Sequence, residues 1–244
     1  GDVVRDEKAP PAARVAAGAV AKKFLSECGI SLGSYVVRIG SVALSESDFE
    51  ETLDAFSRAE ASPVRCPDQE TSDKMVRMID SAIQNGDTLG GIFRVVVSGV
   101  PVGLGSHIQW DKRLSARFMM AISSIQAIKG VEIGLGFKAA ERFGSEVMDE
   151  IFYSKPTGFF RNTNNAGGIE GGLSNGMPIV IRAAMKPIPT LRKPLRSVDI
   201  VTGEAIEAAY ERSDTCAVPA AAVIAEAMAA LCTADALLEK CAGD

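Results

Sequence analysis

Apolar residues recur at helical spacing through residues 12–29, AARVAAGAVAKKFLSECG, and the run closes on Gly29. Pro10 and Pro11 just before it suit a first turn, where a missing amide costs nothing. The pattern then changes period. SYVVRIGSVAL (Ser34–Leu44) and GIFRVVVSGV (Gly91–Val100) are β-branched, interrupted by glycine and bounded by turn residues, which predicts strands. Between them SESDFEETLDAFSRAE has an acidic, cap-like start. DQETSDKMVRMIDSAIQNG repeats apolar side chains at Met75, Met78, Ile79, Ala82 and Ile83 before Gly86. Both predict helices.

The alternation continues beyond Pro101. DKRLSARFMMAISSIQA has one apolar face, KGVEIGLGF extends, and EIFY and the run Pro178–Met185 read as further strands. From Pro219 the sequence AAAVIAEAMAALCTADALLEK is built of strong helix formers with apolar residues all round, so this helix is expected deep in the core or in a subunit contact. No repeat or low-complexity linker divides the chain. The expected fold class is α+β, with residues 1–244 in a single domain.

Composition narrows the chemistry. Of 244 residues, 26 are Lys or Arg and 31 Asp or Glu, giving a net charge of −5; the hydrophobic share is 47% and the aromatic share 6%. That describes a folded globular chain and excludes global disorder. The acidic balance offers no broad positive field to nucleic acid or an anionic membrane, so neither is expected as a partner, and a small phosphorylated or carboxylated metabolite fits better. No signal peptide or membrane span is expected from the pattern. Five cysteines, widely spaced and never in a CxxC pair, predict reduced thiols in a cytoplasmic protein and no zinc site. The one histidine, His107, excludes histidine-cluster metal sites and is read as a structural residue beside Trp110.

Four segments carry candidate chemistry. VEIGLGFKAA places Gly134, Gly136 and Ala139 in the spacing of a dinucleotide fingerprint, but Gly144 breaks the following helix too soon for a βαβ unit, so the Rossmann reading is set aside. RNTNNAGGIEGGLSNG, residues 161–176, is either a long surface turn or a loop whose permissive glycines let bare amides approach a ligand. AAMKPIPTLRKPLRSVD sets Lys186, Arg192, Lys193 and Arg196 among Pro187, Pro189 and Pro194; it is either a solvated basic edge or a pre-stiffened anion grip. Arg212 and Asp214 precede a proline-started helix, as a cap with a surface arginine or as an anion site.

The ordered strings ARVAAGAVAKKFL, SPVRCPD, GDTLGGIFRV, GLGSHIQWDKRL, SIQAIKGVEIGLGF, TNNAGGIEGGLSNGMPIVIRAAMKPIPT and RSDTCAVPAAAVIAEAMAALCTADALLEK resemble chorismate synthases from Arg14 onward. The resemblance implies a β-α-β sandwich with buried helices between antiparallel sheets, assembled as a homotetramer. It implies a carbon–oxygen lyase that takes 5-enolpyruvylshikimate 3-phosphate to chorismate and phosphate by anti 1,4-elimination, in the shikimate pathway of aromatic amino acid biosynthesis. Reduced FMN is required although no net oxidation occurs. NADPH is the flavin reductant in one form of this reading, and a separate reductase supplies the flavin in the other.

By matching position, the resemblance implies that Gln126 and Ala127 border the flavin and that Gly171 lets backbone approach it. Lys186, Pro187, Ile188, Pro189 and Thr190 wrap its phosphate side, and Arg212 completes the set. Asp214 matches the family's acidic residue and is the catalytic candidate, governing protonation at the flavin. Ser213 stands where a histidine is often found. Full-length members carry roughly a hundred further residues before the first helix, on ordinary domain sizes. Two histidines credited with acid chemistry and several substrate-gripping arginines belong to that region, and nothing is transferred to residues 1–13. The chain is therefore expected to be the C-terminal portion of a longer enzyme, with a non-catalytic FMN-binding or assembly-only fragment as the alternative.

Overall fold

The computed structural model describes residues 9–45, 53–208 and 214–242. In chain order the elements begin with α1 (Ala9–Glu27), β1 (Ser31–Ile39), β2 (Val42–Ala43), α2 (Leu53–Ala61), α3 (Gln69–Gln84), β3 (Gly91–Ser98), α4 (Leu114–Ser123) and β4 (Ile128–Ile133). They continue with α5 (Gly144–Val147), β5 (Phe152–Ser154), β6 (Gly158–Phe160), β7 (Ile169–Glu170), β8 (Leu173–Ser174), β9 (Ile179–Met185), β10 (Arg196–Val198), β11 (Ala205–Glu207) and α6 (Val218–Cys241). Five strands pair in the order β2-β1-β3-β9-β4, and β5-β6, β7-β8 and β10-β11 form separate antiparallel pairs. The mixed helices and antiparallel strands are the α+β class expected.

The chain divides into two compact units, each assembled from separated stretches. The first comprises residues 1–34, 94–183 and 222–244. Within it α1 and α6 touch at Gly18, where an added Cβ would lie 2.4 Å from Ala227 Cβ. The buried side of α4 supplies Leu114, Phe118, Ala121 and Ile122. α6 is long and apolar enough to cross a bilayer by length and composition, but most of its apolar window is buried inside the fold. That agrees with the burial expected of it.

The second unit comprises residues 35–93 and 184–221. Here α3 buries Ser72, Met75 and Ala82, and its N-terminus is capped by Asp68, whose carboxylate accepts from Thr71 N at 2.8 Å. Tyr35, Ile39, Met75 and Phe93 are fully buried, and the Tyr35 and Phe56 rings lie 6.3 Å apart. The acidic start expected for α2 lies largely outside the described residues.

Two sequence expectations are corrected. The single strand expected over Ser34–Leu44 is two, because Gly40 takes a φ of 53° and turns β1 back onto β2, with Arg38 opposite Ala43. The helix expected over 111–127 is shortened to α4, after a separate 3₁₀ turn at Trp110–Lys112. Beyond β4, Gly136–Glu141 is a 3₁₀ turn, where a dinucleotide fingerprint requires an α-helix, in keeping with the Rossmann reading having been set aside.

Candidate functional site

Gly86–Gly90, the connection from α3 to β3, organises a cavity of about 440 Å³ in the second unit. Its walls include Ile79 and Ile83 from α3, Asp87 and Thr88, Thr190 and Arg192, and Asp214, Thr215 and Cys216. Backbone bonds bring these stretches together. Leu89 N donates to the Thr215 carbonyl at 2.8 Å, and Lys193 N donates to the Gly86 carbonyl at 3.0 Å. Thr88 Oγ1 donates to the Ile188 carbonyl at 2.6 Å. Gly90 admits the chain after β9 so closely that a Cβ there would lie 2.4 Å from the Met185 carbonyl. Burial pushes the Cys216 thiol above its ordinary range, against the backbone bond to Val218.

A second cavity, of about 560 Å³, lies in the first unit. Met119, Val131, Ile133, Phe137 and Ile169 give it an apolar lining, with Arg113 and Glu132 among its polar members. Glu132 Oε1 pairs with Arg182 Nη2 at 2.5 Å, and Glu132 Oε2 accepts from Phe137 N at 3.0 Å, which folds the 3₁₀ turn back on the strand. Gly171 and Gly172 border this cavity as the turn of the β7-β8 hairpin, both at positive φ. Nothing lies within 4 Å of where a Cβ of Gly171 would stand, whereas one on Gly172 would meet the Ser106 carbonyl at 2.6 Å.

The first half of the glycine-rich loop is braced from within. Three of its amides turn inward. Asn165 N and Ala166 N donate to the two carboxylate oxygens of Asp149 at 2.8 and 2.9 Å, Thr163 Oγ1 donates to the same group at 2.6 Å, and Gly168 N donates to Asn164 Oδ1 at 2.9 Å. Gly167 and Gly168 are needed for close backbone passage: a Cβ on Gly168 would lie 2.5 Å from the Pro178 carbonyl. Burial works against the Asp149 charge, but the bonds from Ala166, Thr163 and Asn165 and the charge of Arg161 outweigh it and hold the carboxyl below the ordinary 3.8.

The residues singled out from sequence fall as follows. Thr190 and Asp214 line the first cavity, and Ile188 is held beside it through Thr88. Lys186 follows β9 directly, exposed, with Pro187 and Pro189 beyond it. Gly171 borders the second cavity. Gln126 is exposed and Ala127 half-buried in the turn from α4 to β4, where Ala127 takes a φ of 64°. A non-glycine residue there costs roughly 1–2 kcal/mol, so the surrounding turn holds it in place. Arg212 and its neighbour Ser213 lie outside the described residues.

The sequence profile of the family described as "Chorismate synthase" matches residues 10–238, most of the chain and both units. The chain belongs to the chorismate synthase family. It is 56% identical over 240 residues to the chorismate synthase of Aquifex aeolicus (strain VF5), covering 96% of this chain and 60% of that protein. It is 56% identical over 231 residues to that of Listeria innocua serovar 6a, covering 95% and 60%. A solved structure, "Crystal Structure of Chorismate Synthase", superposes with a TM-score of 0.82 at 50% identity, covering 96% of this chain and 65% of that one. The chain thus spans about three-fifths of the length of these curated relatives.

Several residues that shape these chorismate synthase cavities escaped the sequence reading. Asp87 and Thr88 sit in GDTLGG, a string that carried the resemblance but no assigned role; its clue was a polar pair held between glycines at the end of a helix. Asp149 gave no signal, since its partners lie 14 to 17 residues away across a hairpin.

Proposed function

We propose that this chain supplies a flavin-phosphate grip and an acidic group to the conversion of 5-enolpyruvylshikimate 3-phosphate to chorismate and phosphate by anti 1,4-elimination. The observation that carries the proposal is one cavity in a chorismate synthase chain lined by Thr190, Arg192 and Asp214, Thr190 coming directly after Lys186-Pro-Ile-Pro. The donor set suits FMN. A phosphate monoester needs fixed cations and hydroxyl donors, which Arg192 and Thr190 in the wall offer, with Lys186 four residues before Thr190 in the chain, and a flavin needs apolar wall, which Ile79 and Ile83 offer. FMN, when bound in reduced form, supplies an electron that is lent and returned.

The chain's own residues do the rest. Lys186 and Arg192 attract the phosphate, with Arg212 joining them by family resemblance. Pro187 and Pro189 fix the backbone around Ile188, so little freedom is lost on binding. Asp214 takes and returns a proton through its carboxylate oxygens. Gln126, Ala127 and Gly171 are assigned to flavin contact by resemblance; the open space above Gly171 supports its part. The one-domain reading is supported by the unbroken family match, and the enzyme is read as a cytoplasmic homotetramer, with NADPH or a reductase keeping its flavin reduced.

The test is phosphate release from 5-enolpyruvylshikimate 3-phosphate with FMN under reducing conditions, run beside quenching of flavin fluorescence by the chain. Release that falls with Asp214→Asn supports the proposal. Flavin binding without release contradicts the catalytic part and leaves a flavin-binding fragment.

A further inference from the structure

Two prolines create a mechanical difficulty next to the proposed phosphate grip. Neither Pro187 nor Pro189 has an amide hydrogen, so the segment beyond β9 cannot hold itself with a backbone ladder. Its carbonyl at Ile188 is taken by a side chain from a different part of the sequence, the Thr88 hydroxyl, at 2.6 Å. Thr88 is 9% exposed, and its own amide donates to Asp87 Oδ1 at 2.8 Å, which holds residue 88 in the connection. One residue on, Leu89 bridges to Cys216 in parallel fashion, with its amide on the Thr215 carbonyl. The same short connection therefore holds the Lys186–Thr190 segment with one residue and the stretch beginning at Asp214 with the next.

We propose that Thr88 is a positioning residue for phosphate recognition: its hydroxyl fixes Ile188, and through it the placing of Lys186 and Thr190 relative to Asp214. Thr88 acts through Ile188 and not by gripping the ligand. The inference rests on the reading of this cavity as a phosphate grip. It requires that loss of the hydroxyl weaken only ligands bearing a phosphate, because the apolar wall from Ile79 and Ile83 belongs to α3 and is independent of the Thr88 bond.

The experiment compares FMN with riboflavin, which lacks the phosphate, by fluorescence titration of the full chain and its Thr88→Val, Thr88→Ala and Thr88→Ser variants. Loss of one hydrogen bond in the positioning of a charged group predicts roughly tenfold weaker FMN binding in Thr88→Val and Thr88→Ala. Thr88→Ser keeps the donor and is expected within about twofold of the parent chain. Riboflavin binding is expected to be the same in all four. Unchanged FMN affinity in the donor-less variants overturns the inference, as does equal weakening of FMN and riboflavin, or failure of both donor-less variants to fold. A parent chain that binds FMN no better than riboflavin removes the phosphate reading itself, a result distinct from the other three.

Discussion

Glu226 accepts a hydrogen bond from Ser34 Oγ at 2.6 Å, although it sits on a helix 192 residues further along the chain and is only 7% exposed. Its other oxygen meets the ammonium of Lys22, whose side chain is 42% exposed. Water can satisfy Lys22 but not Glu226. Removing the ammonium is therefore expected to cost more than neutralising the carboxylate: Lys22→Ala about 2–3 kcal/mol, Glu226→Gln under about 1.5 kcal/mol. The double variant recovers part of the Lys22→Ala loss. Chemical denaturation of the three variants measures the coupling, and additive losses contradict it.

Gly18→Ala pits helix propensity against space. Alanine gains about 1 kcal/mol in an exposed helix. Here its Cβ would meet the Ala227 Cβ at 2.4 Å and the Ala227 Cα at 2.6 Å, and backbone cannot swing aside as a flexible side chain can. Overpacking costs about 1–3 kcal/mol and wins. The melting temperature is expected to fall by roughly 3–6 °C. A rise would show that α1 and α6 do not meet there.

Asp149→Ala removes an acceptor shared by Thr163, Asn165 and Ala166 and leaves their donors in a half-buried loop. A loss of about 2–3 kcal/mol is expected. The sign with pH is fixed by the lowered pKa. The folded carboxyl ionises below the ordinary 3.8, so its stabilisation is full above that value and disappears as pH falls through the folded value. Acid unfolding of Asp149→Asn should lack this component, and identical acid profiles for variant and parent would contradict the assignment.

These predictions separate what was legible in the sequence from what was not. α1, α3 and α6 could be read because their apolar residues recur at helical spacing, and β9 because Ile179, Ile181 and Ala183 alternate inward along one strand. Lys186 at the end of β9, and Thr190 and Asp214 near one another, came from family resemblance, since spacing alone left a solvated edge equally open. The Gly18 contact could not be read, because a glycine in a helix does not name the helix it meets. The internal bracing of the loop at 161–176 was hidden for a related reason. Its glycines look permissive in isolation, yet Gly167 and Gly168 are used to pass backbone against Gly134 and Pro178, while Asp149 takes the amides of Asn165 and Ala166.

Lys186→Ala and Arg212→Ala are each expected to weaken flavin binding by about 1.5–3 kcal/mol, the worth of a charged hydrogen bond. Fluorescence titration of FMN measures both. Unchanged affinity in both variants removes these assignments.

The central claim is that the cavity between α3, the segment after β9 and the stretch from Asp214 receives the phosphate end of FMN. Amide hydrogen exchange of the full chain with and without FMN tests it most directly. The account predicts slowed exchange confined in this unit to Asp87–Leu89, Thr190–Lys193 and Asp214–Cys216, with the slowing of Thr190–Lys193 lost for riboflavin. Equal protection of Thr190–Lys193 by riboflavin, or FMN binding that leaves these three stretches unchanged, would contradict it.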